Sequence, residues 1–239
     1  MFVHRETCGP VDVAFTNREG GVSTGPWSSL NLGTSNADDP ASVQENLRLL
    51  AGALGVSTLV RMTQVHGADV HVIDTAYAGQ IPTADALVTD RPGIGLLVRV
   101  ADCIPILLAD EAARVVAVAH GGRAGMELGV VAHTLDAMRA LGAQSIRAWM
   151  GPRACGSCYE VPEALADKVA AVVPAARSTT SWGTPALDIG VGIRSQFAAD
   201  DVKVTDIGED LCTIEDDSFF SYRRQGADSG RFGAVVVLR

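Results

Sequence analysis

Two periodicities alternate along this chain. The runs VDVAFT (11–16), ADVHVID (68–74), GIGLLVRV (93–100), RVVAVAH (114–120), SIRAWM (145–150) and FGAVVVLR (232–239) are short, β-branched and bounded by Gly, Pro or Asp, and they predict strands. Between them apolar residues recur at helical spacing. In 39–55, Val43, Leu47, Leu50 and Leu54 form one stripe, with Asp39 as N-cap, Pro40 as first helical residue and Gly55 as stop. In 126–142 the stripe is Leu128, Val131, Leu135 and Met138, ending at Gly142. Pro162 opens a third helix with Leu165, Val169 and Val172 facing inward, and LDIGVGIRSQFAA (187–199) predicts a fourth. The pattern is that of a mixed α/β protein. It contains no internal repeat, low-complexity tract or long linker, so one compact domain over residues 1–239 is expected.

Composition narrows the function classes. A net charge of −9, from 28 acidic and 19 basic residues, argues against a nucleic-acid partner, which needs a broad basic surface. An anionic ligand must therefore meet a local arginine cluster. The N-terminal residues lack the pattern of a secretory signal, and no run approaches the ~20 apolar residues of a membrane span, so a cytoplasmic protein without membrane contact is expected. Five cysteines, an odd number, fit reduced thiols better than a disulfide framework.

Three segments place reactive side chains at strand ends: TQVHGADV with His66, VRVADCIPI with Cys103 and VAVAHGG with His120. Two imidazoles and a thiolate suit Zn²⁺ with an open fourth position, and the glycines after both histidines leave room for a ligand. Their wide separation carries no ligand-spacing signature, and buried structural roles fit the same residues. CGSC (155–158) fits a redox pair or half a zinc site. With no second C-x-x-C and a helix beginning only near Pro162, two loop thiols are expected. Loop 17–33 is long enough to suspect function and carries Arg18 and Asn31; Arg223, Arg224 and Arg231 cluster near the C-terminus, where paired arginines can grip an anion.

Taken in order, FTNREGGVSTGPWSSLNLG, DDPASVQENLRLL, TQVHGADV, ADALVTD, VADCIPILLAD, GPRACGSCYEV and CTIEDDSFFSYRRQGADSGRFGAVVVL span nearly the whole chain. This series resembles the polyphenol oxidase laccase-domain family, also called the purine nucleoside phosphorylase or peptidoglycan editing factor family. The resemblance implies a four-layer α/β/β/α fold with mixed sheets, shared with a group of cysteine hydrolases. It also implies a zinc site at His66, Cys103 and His120, with Cu²⁺ as the alternative metal. Nothing in a chain with five histidines supports a multicopper laccase. One departure is clear: the family motif A-H-A-G-W-R-G reads AHGGRAG here, placing Arg123 at the aromatic position and Ala124 at the arginine position. The usual double cysteine before Tyr-Glu is Ser157 and Cys158.

The expected activity is zinc-dependent phosphorolysis of purine nucleosides (adenosine, inosine, guanosine or methylthioadenosine), with adenosine deamination by zinc-activated water as a side activity. His66, Cys103 and His120 are the expected catalytic set. Arg18 and Arg224 are expected to bind anion, with Asn31 and Asp85 as further substrate contacts. The alternative is an amide hydrolase editing peptidoglycan precursors, with Cys103 or a zinc-activated hydroxide as nucleophile and His120 as base. A zinc-stabilised binding module is the non-enzymatic alternative. A monomer or homodimer is expected.

Overall fold

The structure is a computed structural model that describes residues 1–34, 36–75 and 77–239. In chain order its strands are β1 (Phe2–Cys8), β2 (Val11–Thr16), β3 (Leu59–Val60), β4 (Val70–Val72), β5 (Ala86–Thr89), β6 (Gly95–Val100), β7 (Ile104–Asp110), β8 (Val115–Gly121), β9 (Arg147–Met150), β10 (Arg177–Thr179), β11 (Pro185–Leu187), β12 (Lys203–Asp206) and β13 (Phe232–Leu238). Its helices are α1 (Pro40–Leu54), α2 (Arg123–Leu128), α3 (Val130–Ala140), α4 (Glu163–Val172), α5 (Ile189–Ala199) and α6 (Tyr222–Gln225). None of the described helices is long and apolar enough to cross a membrane.

Two mixed sheets organise the fold. One runs β1-β2-β13-β6-β3 and the other β12-β9-β7-β8-β5-β4, while β10 and β11 form a separate antiparallel pair. In each large sheet most neighbours are antiparallel and the outermost pairs include a parallel one, β6 with β3, β5 with β4 and β9 with β12. The strands read as nearly continuous apolar runs because both faces are covered. Phe15, Val98, Phe232 and Val236 pack with Leu107, Val116, Val118 and Trp149 between the sheets. Val235 and Val237, on the opposite face of β13, join Leu50 and Leu54 of α1. On the other side, Ile106, Leu108 and Ala117 pack with Met126, Leu135, Val169, Ile193 and Phe197 from α2, α3, α4 and α5.

Local signals placed several elements well. Asp39 accepts a bond from the Ala41 N–H at 3.1 Å, and Gly55, with φ of 67°, ends α1 in the left-handed conformation. The stripe expected as one helix over 126–142 is divided by Gly129, whose φ of 84° ends α2 and redirects the chain into α3. Leu128, expected inward, lies at that break and is 60% exposed. In α4, Pro162 precedes the helix, Ala166 and Val169 form the buried face, and Val172 is 59% exposed. The ADVHVID run yields only the three-residue strand β4 at a sheet edge.

Candidate metal centre and catalytic cavity

Strand register brings two of the reactive groups together. In the antiparallel pair of β7 and β8, Ile104 faces Gly121 and Pro105 faces His120, so Cys103 leaves the sheet beside the end of β8. His66 arrives from the turn before β4, two strands away across β5. One donor atom from each of His66, Cys103 and His120 lies within 4.8 Å of the others. The two imidazoles meet edge to face with centroids 4.8 Å apart. Gly122 keeps the space between them open: a Cβ there would sit 3.1 Å from His66 Cδ2 and 3.4 Å from Cys103 Sγ.

Asp85 holds this arrangement from behind. It is fully buried and follows directly from the register, since Ala86 faces Ala119 and the His120 N–H donates to the Asp85 carbonyl. Its carboxylate accepts the consecutive N–H groups of Val65 (3.1 Å), His66 (3.0 Å) and Gly67 (2.7 Å). Those bonds hold His66 in a left-handed conformation, φ 59°, that a side chain rarely adopts. The same carboxylate lies 2.8 Å from His120 Nδ1. With Nδ1 engaged there, Nε2 is the His120 nitrogen left for a metal or substrate.

The charges of the cluster favour ligation. Burial pushes the Cys103 thiol up, but the His120 charge and hydrogen bonds from His120 and His66 outweigh it and bring its pKa to about 6. Burial opposes the charged form of His120, while the Cys103 thiolate and Asp85 raise its pKa to about 9. One thiolate and two imidazoles converging on one point, with a carboxylate behind one of them, fit a zinc ion of three protein ligands and an open position. His4, His71 and His133 are outside the cluster; His133 Nδ1 instead lies 3.0 Å from the Ala68 carbonyl.

The three donors open into a cavity of about 670 Å³, lined also by Gln64, Arg99, Arg123, Tyr159, Tyr222, Arg223 and Arg231. Arg99 is the most constrained of its cations. It donates to the carbonyls of Met62 (2.8 Å) and Leu32 (3.3 Å) and to Thr34 Oγ1 (3.0 Å), while its buried Nε has no partner among the described residues. Burial and the nearby positive charges of Arg61 and Arg231 depress its pKa to about 10. A half-buried guanidinium lining the cavity beside other cations offers positive charge to an anion.

The residues expected to bind substrate lie elsewhere. Arg18 donates to the carbonyls of Ser28 (2.6 Å) and Pro26 (3.2 Å), stacks over Phe220 and does not line the cavity. Arg224 spends its guanidinium on the carbonyls of Thr213, Ile214 and Phe219, pinning its own loop. Asn31 is buried, donating to Asp38 at 2.8 Å and accepting from the N–H groups of Gly33 and Arg231 at 2.8 Å each. It shapes the backbone of two lining residues without facing the cavity. Asp85 likewise faces the histidines and not the cavity.

The family described as multi-copper polyphenol oxidoreductase laccase matches residues 12–239. The chain belongs to that family. A Streptomyces griseus protein named a purine nucleoside phosphorylase is 47% identical, the match covering all of both chains. A Corynebacterium glutamicum protein with the same activity in its name is 46% identical over 96% of this chain and 95% of its own. Among solved structures, a Neisseria meningitidis protein superposes with a TM-score of 0.88 at 31% identity, covering 99% of this chain and 98% of its own. YlmD from Geobacillus stearothermophilus gives 0.84 at 31% identity, covering 96% and 92%.

Residues 123 and 124, where the resemblance implies a departure, lie at the cavity wall. Gly122 precedes α2, so Arg123 and Ala124 are its first residues and both line the cavity. The Arg123 guanidinium forms an ion pair with Glu127 one turn along the same helix. Arg99 was not singled out from sequence. Its signal is a lone cation inside GLLVRV, a strand otherwise made of apolar residues and glycine. Tyr159 was also missed; its ring carries the Arg223 guanidinium at 4.4 Å.

Proposed function

We propose that the protein is a zinc-dependent purine nucleoside phosphorylase whose chemistry runs in the cavity shared by His66, Cys103, His120 and Arg99. The observation that carries the proposal is the joining of a three-donor metal cluster and a half-buried guanidinium in one cavity. The relatives named purine nucleoside phosphorylase support the substrate class. The three apolar clusters on successive sheet faces support the four-layer α/β/β/α, cysteine-hydrolase-like reading of the fold, as a single unit.

In phosphorolysis a phosphate oxygen bonds to the anomeric carbon as the carbon–nitrogen bond breaks, and the purine leaves with the electron pair and takes up a proton. Orientation and charge stabilisation dominate such a step. Arg99 and Arg231 hold the phosphate and lower its mobility beside the sugar. Tyr159 supplies a hydroxyl kept protonated by burial and by the neighbouring Cys103 thiolate, making it the candidate hydrogen-bond donor to the departing base. His66, Cys103 and His120 hold the zinc, with Asp85 fixing the His120 tautomer. When bound, zinc supplies Lewis-acid polarisation and activation of water, which also accounts for a deamination of adenosine at the same centre.

One observation favours a second reading. A Cys103 thiol brought to a pKa of about 6 beside a histidine is a nucleophile with its base, as an amide hydrolase requires. A substrate panel separates the two. Zinc-loaded protein incubated with adenosine, inosine or guanosine and phosphate should release free base, with inosine also formed from adenosine, and Cys103→Ala should abolish both. Amide cleavage of a peptidoglycan precursor by metal-free protein, without base release by the loaded form, would replace this reading with the hydrolase.

A further inference from the structure

A second group of soft donors lies outside the cavity. Cys155 and Cys158 sit in a tight turn in which the N–H groups of Cys158 and Tyr159 return to the Cys155 carbonyl at 3.1 and 3.0 Å. Cys212 and Glu215 repeat that spacing, the N–H groups of Glu215 and Asp216 returning to the Cys212 carbonyl at 3.1 and 2.9 Å. The two turns face each other, and one donor atom from each of the four side chains lies within 4.8 Å of the others. A tetrahedral zinc with ~2.3 Å bonds to sulfur needs sulfurs about 3.8 Å apart, so closure takes side-chain movements of an ångström or less.

Polar groups already meet the sulfurs. The Cys155 N–H donates to Cys212 Sγ at 3.4 Å, and Cys155 Sγ lies 3.4 Å from Ser157 Oγ and 4.0 Å from Glu215 Oε2. An amide directed at sulfur offsets negative charge there. The segments are also tied together: Arg153 pairs with Cys212 as a β-bridge, with bonds from Arg153 N–H to the Leu211 carbonyl (3.3 Å) and from Thr213 N–H to the Arg153 carbonyl (3.0 Å).

We propose that Cys155, Cys158, Cys212 and Glu215 form a second, four-ligand zinc site of structural type. Four protein donors close the coordination sphere, in contrast to the open three-donor centre at Cys103. Thiolate-rich donors select zinc over the hard divalent cations. The consequence reaches the catalytic cavity by two short routes. Tyr159, which lines it, follows Cys158 directly, and the Thr213 hydroxyl donates to Asp102 at 2.7 Å, next to Cys103.

Zinc stoichiometry tests this on the full chain. After equilibration with Zn²⁺ and removal of loosely held metal, wild type should retain about two ions and Cys103→Ala about one. Cobalt in Cys103→Ala should show the intense sulfur-to-metal charge-transfer absorption of a thiolate-rich tetrahedral site. In case the variant does not fold, alkylation of reduced wild type followed by peptide mass spectrometry should find Cys155, Cys158 and Cys212 protected by Zn²⁺. Cys103→Ala folding without retained zinc, or equal alkylation of the three thiols with and without zinc, would overturn the proposal. So would a disulfide among these three cysteines in protein as isolated.

Discussion

Asp85 is the residue on which the centre's geometry depends, because one carboxylate fixes both the His66 turn and the His120 ring. Asp85→Asn should weaken zinc binding at this centre by about 10–100-fold, as loss of an outer carboxylate does elsewhere. Chelator competition on the Cys103-dependent ion reads this out, and unchanged affinity would deny Asp85 its positioning role. Cys103 carries a pH prediction. Because its pKa is lowered to about 6, its thiolate forms as pH rises through 6, while His120 keeps its stabilising proton until about 9. Alkylation of Cys103 in metal-free protein should therefore climb near pH 6 and be nearly flat by pH 8; a rise centred near 9 would contradict the pairing. His66, Cys103 and His120 were legible as reactive groups at strand ends, with glycine after each histidine, and the structure brings the three together. Arg18 and Arg224, expected from arginine-rich loops, do not line the cavity, because loop composition does not say which way a side chain is directed.

At the scale of elements, capping chemistry was readable and helix continuity was not. Asp39, Pro40 and Gly55 delimit α1 as their side chains and backbone freedom require. An apolar stripe continuing through 126–142 concealed the break at Gly129, since the spacing of leucines carries no record of a left-handed residue between them. The break makes two similar leucines unequal. Leu135→Ala should cost about 2–5 kcal/mol in denaturant unfolding, because it opens a cavity in the buried cluster where α3 packs on β8, β5 and α5. Leu128→Ser should fall within about 0.5 kcal/mol of wild type. Equal losses at both positions would contradict the division of the helix.

Across the whole molecule, function arises from long-range pairing that no local pattern encodes. Cys103, His120, Asp85 and the His66 turn meet because β7, β8, β5 and β4 are consecutive in one sheet, and sheet order was not readable from periodicity. Arg99 comes from the other sheet, so the cavity joins the metal cluster of one sheet to a half-buried cation of the other. The rate of base release from inosine by zinc-loaded protein, followed as inorganic phosphate is varied, tests whether the two halves of the cavity act together. Saturable dependence on phosphate with equimolar sugar 1-phosphate is expected, together with an Arg99→Met variant whose KM for phosphate rises at least tenfold while that for inosine changes far less. Base release independent of phosphate, or an Arg99→Met variant with unaltered phosphate dependence, would contradict it.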